Sequence, residues 1–185
     1  MSELSVGALS GLAANSYVID VASGSTLDVT NATGTLPSAQ LPAGSILQVV
    51  SAVKTNQFTT SSTGWVDVPS LNATITPSSS SNKILVLVHI GLQGNTGSAH
   101  MNFFTLFRND TNQMTAPDCI SGAYQNNSGT GVALSFALYD SPASTTAKEY
   151  SVGMRVNGST GVLNRIAVNN LTTSESTITL MEVAG

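Results

Sequence analysis

The chain's 185 residues (18.9 kDa) are 41% hydrophobic, enough to bury a core, but only 9% charged, so uncharged Ser, Thr, Asn and Gly must cover its surface. Six Lys plus Arg against ten Asp plus Glu give a net charge of -4, too few cations to neutralise a run of phosphates, which argues against nucleic acid or an anionic membrane as partner. The longest strongly apolar stretch, Ile84 to Ile90, is far short of the roughly 20 residues of a membrane-spanning helix, and a single cysteine, Cys119, excludes an intrachain disulfide framework.

Apolar residues alternate, or cluster in short β-branched and aromatic runs, between Gly, Asn, Ser and Pro breaks, which predicts an all-β chain. The first strands fall at Tyr17 to Val21 and Thr26 to Val29, inside a segment, residues 1–44, whose charges are Glu3, Asp20 and Asp28. Glu3 and the absence of Lys or Arg there also do not fit the positive start of a secretory signal. Each run is too short to cover itself, so the segment reads as an arm and narrow β stem that needs a neighbour. Pro37 and Pro42 then form an extended connector, and the boundary to a domain at 45–185 falls near Gly44.

In that domain the predicted strands are Ile46 to Lys54, Trp65 to Val68, Leu71 to Ile75, Lys83 to Leu92, Met101 to Arg108 and Ile120 to Tyr124. Val132 to Tyr139, Lys148 to Val156, Val162 to Val168 and Thr177 to Val183 follow, at the spacing of a sandwich or jelly roll. Asn157-Gly158 reads as a hairpin tip joining two of these strands, and Arg108 to Asn112 as a second tip.

Val132, Leu134, Phe136 and Leu138 share one strand face, and Tyr150, Val152, Met154 and Val156 another, the pattern of sheets covered on one side. Two strands depart from it. Ile84, Val86, Val88 and Ile90 oppose Leu85, Leu87 and His89, while Phe104 and Leu106 oppose Phe103 and Phe107. A two-sheet domain has no third layer for such second faces, so a neighbouring subunit, or else long loops, must cover them. Leu85, Leu87, His89, Phe104, Leu106 and Met181 are the candidate contacts between sandwiches. Leu4, Val6, Leu9, Leu12, Tyr17 and Val18 are the candidate docking residues of the arm.

Catalytic chemistry finds little support. Cys119 with His89 or His100 and Asp118 is the available Cys/His set, but a lone Cys before a strand more often packs as a small hydrophobe. Two histidines eleven positions apart suggest no metal ligand spacing, and no cofactor is expected. Trp65 and Tyr139 could form a sugar-stacking platform, although core packing is the simpler reading.

LPAGSILQVV (41–50), ITPSSSSNKILV (75–86) and the terminal ITLMEV (178–183) resemble a module of bacteriophage tail fibres and other virion structural proteins, especially of marine and cyanobacterial phages. The resemblance spans most of 41–185 and implies an antiparallel β-sandwich of jelly-roll type, trimeric and similar in shape to the tumour necrosis factor and C1q heads, with no enzymatic activity. With a start unlike a secretory signal, the expected homotrimer is made in the host cytoplasm and assembled on the particle exterior. On this reading the arm docks on the major capsid protein or another virion protein, as a capsid decoration, cement or head-fibre protein. The alternative is a short tail fibre or fibre tip that binds a host surface glycan or receptor through loops at Asn95, His100, Asn109 and Asn112.

Overall fold

The computed structural model describes residues 41–109, 111–112, 119–126, 131–165 and 174–185. The arm expected over residues 1–44, with its docking residues Leu4, Val6, Leu9, Leu12, Tyr17 and Val18, therefore lies outside the described part except for 41–44. The last of these residues already join the domain: Gly44 N donates to Ala184 O at 2.8 Å, and Ala184 N to Ser45 O at 2.9 Å.

The described residues form strands and no helix: β1 (Ile46–Lys54), β2 (Phe58–Thr60), β3 (Val66–Ile75), β4 (Lys83–Asn95), β5 (His100–Arg108) and β6 (Thr111–Asn112) come first. β7 (Ser121–Gln125), β8 (Val132–Asp140), β9 (Lys148–Val156), β10 (Gly161–Leu163) and β11 (Ser176–Val183) complete them. They make two antiparallel sheets packed against each other, a β-sandwich. Trp65 to Val68 and Leu71 to Ile75, expected as two strands, are one strand whose pairing with β9 breaks between Asp67 and Asn72, where Pro69 lacks an amide donor and Ser70 takes a φ of 63°.

The first sheet holds β1, β11, β4, β8, β10 and β2. Gln93 of β4 pairs with both Leu163 of β10 and Val132 of β8, so those two strands flank β4 on opposite sides. β11 and β8 share Ile84 to His89 in the same way, which puts β10 in line with β11 and β2 in line with β1. The sheet is thus four columns wide. The second runs β3-β9-β5, with β7 and β6 along the far side of β5.

The core lies between the sheets. Ile84, Val86, Val88 and Ile90 of β4 and Ile178 and Leu180 of β11 meet Phe104 and Leu106 of β5 and Tyr150, Val152 and Met154 of β9. Alternation drives this arrangement, because residues two apart along a strand share a face. Three polar devices lock its margins. Glu182 takes hydrogen bonds from Gln48, Ser78 and Asn82. Asp140 of β8 joins Arg108 and Tyr150 of the other sheet, each at 2.6 Å. Lys54 is buried with Nζ donating to Asn56 Oδ1 (2.7 Å) and Pro69 O (2.8 Å), which ties the β1 margin to β3.

Two expectations are corrected. Asn157-Gly158 is not a hairpin tip: β9 belongs to the second sheet and β10 to the first, so the chain crosses the sandwich there. Phe104 and Leu106 are fully buried core residues and cannot reach a neighbouring sandwich; Phe103, Thr105 and Phe107 form the other face of β5.

Candidate functional site

The outer face of the first sheet is built from the odd positions of β1, β11, β4 and β8. The register aligns them in rows: Val49, Met181, Leu85 and Tyr139 in one, Ser51, Thr179, Leu87 and Ala137 in the next, then Val53, Thr177, His89 and Ser135. Val49 is 55% exposed, Val53 52%, Leu87 37% and Tyr139 57%. Exposed large hydrophobics are costly when contiguous, and here four of them stand on one sheet face.

The middle of this face is hollow because its side chains are small. A shallow depression of about 620 Å3 is lined by Leu87, His89, Ser135, Ala137, Thr177 and Thr179, among others. These three rows hold no Asp, Glu, Lys or Arg, and His89 Nδ1 lies 3.0 Å from Ser135 Oγ. Lys83 and Glu175 continue the same odd-numbered alternation at the two ends, whereas Lys54, Asp140 and Glu182, next in sequence to Val53, Tyr139 and Met181, fall on the opposite alternation. An apolar face without like charges can press against a copy of itself.

Of the candidate contacts between sandwiches, the structure brings Leu85, Leu87, His89 and Met181 together on this face. The reading of residues missed Val49, Val53 and Tyr139. The signal was available in ILQVVSAV, where Val49 and Val53 oppose Val50 and Ala52 across the strand, so that both faces are apolar.

The receptor-loop candidates are dispersed. Asn95 and His100 are buried rather than presented on a loop tip, because β4 runs on to Asn95 and β5 begins at His100. His100 Nδ1 lies 3.0 Å from Ser98 O and its Nε2 3.0 Å from Asn102 Oδ1. Asn102 in turn donates to Gly94 O at 3.0 Å and to Gln93 Oε1, and the loop is knotted into the end of the core. Asn109 is exposed at the turn between β5 and β6, with a φ of 48°. Asn112 pairs with Phe107 as part of β6.

Of the Cys/His set, both ring nitrogens of His100 are engaged, His89 lies on the other sheet, and Cys119, a half-buried free thiol, precedes β7, while Asp118 lies outside the described residues. Trp65 precedes β3 of the second sheet and Tyr139 lies on β8 of the first, so they form no joint platform; the Trp65 ring instead carries the Arg155 guanidinium 5.0 Å from its centroid, with Phe103 4.4 Å away on the same cation. No protein-family model matches the chain, and no curated protein matches it either.

Proposed function

We propose that this chain is a non-enzymatic structural protein of a bacteriophage virion, a capsid decoration, cement or head-fibre protein that acts as a homotrimer. Its sandwich trimerises through the outer face of the first sheet, and its N-terminal arm docks on the major capsid protein or another virion protein. The observation that carries this reading is the uncharged apolar face holding Val49, Leu85, Leu87, Tyr139 and Met181 on a chain rich in polar uncharged residues elsewhere.

Strand order supports the jelly-roll part of the reading. With the short β2, β6 and β10 set aside, the eight main strands run first-eighth-third-sixth in one sheet and second-seventh-fourth-fifth in the other, the order produced by two nested Greek keys. A cement protein stabilises a shell by adding contact area, and threefold attachment multiplies the avidity of a modest single contact.

The test has two stages. Light scattering on the purified full-length chain should give three times the 18.9 kDa chain mass. Antibody labelling of intact virions should then place hundreds of copies over the head. A monomer at high concentration, or absence from purified virions, overturns the proposal. A handful of copies at the tail favours a short tail fibre or fibre tip instead, a reading to which the exposed Asn109 turn lends its one support.

A further inference from the structure

The width of the first sheet bears on how copies meet. At ~4.8 Å between strands, four columns span ~19 Å, and three such sheets set as the sides of a triangle stand ~5.5 Å from their common axis. That is about half the ~10 Å at which two sheet faces pack, so the side chains of three copies fill the centre. Four copies around a square would stand ~10 Å from the axis and leave a hole. Two copies face to face would also fill the gap, but they would leave the margin of β8 as it is.

That margin is poorly covered, as is that of β1, where the inward-facing Val50 and Ala52 are also only partly buried. Inward-facing Leu134, Phe136 and Leu138 of β8 are only partly buried, whereas their counterparts on β4 and β11 are fully buried. β8 is also a nine-residue edge, VALSFALYD, free of Pro and Lys. The other margins are blunted: β3 by Pro69 and its break in pairing, β1 by an irregularity between Ile46 and Gln48 and by Lys54, and the far side of β5 by its division into the short β6 and β7. Among the described residues no strand pairs with the outer side of β8, and the one irregularity in its pairing, between Ile90 and Gln93, falls on β4; a long edge of this kind is a place where another chain is received.

Strand direction allows the closure. Each step from β1 to β11, β4 and β8 is antiparallel, so β8 runs opposite to β1. Rotation about an axis along the strands preserves direction, and β8 of one copy then meets β1 of the next antiparallel.

We propose that three copies close head to tail, β8 of each against β1 of the next, with Leu85, Leu87 and Met181 turned to the axis and Tyr139 of one copy beside Val49 of the next. The contact is heterologous, joining two different edges, and it closes into a ring instead of growing into a fibre. This inference rests on the self-association proposed above and specifies its geometry.

The experiment is disulfide trapping in full-length chain carrying Cys119→Ser, at positions exposed enough to accept cysteine. Val49→Cys alone and Tyr139→Cys alone should stay uncrosslinked on oxidation, while the double variant should give covalent dimers and trimers on denaturing gels. Met181→Cys, near the axis, should crosslink to its own copies. Light scattering on each variant reports assembly independently of trapping. Efficient self-crosslinking of either edge variant overturns the ring in favour of a twofold contact. A trimeric mass without crosslinking between positions 49 and 139 overturns the ring and leaves trimerisation standing, whereas a monomeric mass for the unsubstituted chain overturns both.

Discussion

Asn82 Nδ2 donates a 2.6 Å hydrogen bond to Glu182 Oε1, joining the serine-rich loop before β4 to the last strand. The same carboxylate receives Ser78 N at 2.6 Å, Ser78 Oγ at 2.8 Å and Gln48 Nε2 at 2.5 Å. Burial alone would raise this carboxyl, but the donors from Asn82, Gln48 and Ser78 outweigh it and hold Glu182 below the ordinary 4.5. A carboxylate with a lowered pKa contributes stability that is present above the unfolded value and is lost as pH falls through the folded one.

Glu182→Gln should therefore cost about 2 kcal/mol at pH 7, since it turns an ionic acceptor into an amide that faces the donors of Asn82 and Gln48. Urea denaturation of the two proteins checks it. The gap should shrink as the pH falls through the ordinary carboxyl range toward the lowered value of the folded state. An equal gap at pH 7 and at pH 3 would show that the carboxylate charge is not what the donors hold.

Tyr150 gives a matching prediction at the alkaline end. Burial is the larger reason its hydroxyl is raised well above 10, and the hydrogen bond it donates to Asp140 adds to this. The folded state keeps the proton while the unfolded state releases it, so this contribution to stability is present below about pH 10 and declines above it. Tyr150→Phe should cost about 1 kcal/mol at pH 7 and flatten the decline above pH 10, read by thermal melts across that range. An unchanged alkaline slope would point to another group.

The alternation rule made most of the fold legible from residues alone. Ile46 to Lys54 and Lys148 to Val156 are strands with the expected ends, and Ile84, Val86, Val88 and Ile90 are core as their spacing demands. The rule failed where both faces of a strand are apolar. On β5 it could not tell Phe104 and Leu106 from Phe103 and Phe107, because the outer pair is covered by means invisible in a linear pattern: Phe103 by Arg155, and Phe107 by packing onto the bare backbone of Gly153. On β4 the same ambiguity resolved the other way, leaving Leu87 exposed. The crossing at Asn157-Gly158 was missed because a turn dipeptide reports local backbone freedom and says nothing about which sheet the next strand joins.

Gly153 supplies the third test. A Cβ there would run into Cε2 of Phe107 and meet its Cζ and Thr105 Cγ2 at 3.0 Å, so Gly153→Ala must push the ring off the sheet. The expected loss is about 1–3 kcal/mol, as for overpacking elsewhere. Phe107→Leu in the same chain should recover part of it by vacating the space. If the double variant is as unstable as the sum of the single ones, the ring is not what the methyl group strikes.

The outer face and the core make opposite predictions for one kind of substitution. Leu87 and Leu106 are both strand leucines, but Leu87 is 37% exposed on the outer face whereas Leu106 is sealed between the sheets. A carboxylate at 106 would be buried without a partner, a penalty of several kcal/mol that exceeds the margin of most domains, so Leu106→Glu should abolish folding. A carboxylate at 87 meets water in the lone chain and meets its own copies in the assembled one. Leu87→Glu should leave the circular dichroism spectrum of the sandwich intact while light scattering falls from trimer to monomer. Bringing the pH below about 4 neutralises the new carboxyl and should restore part of the association. A Leu87→Glu protein that stays fully assembled at pH 7 would mean that this face looks onto solvent, and the contact between copies would have to be sought on another surface.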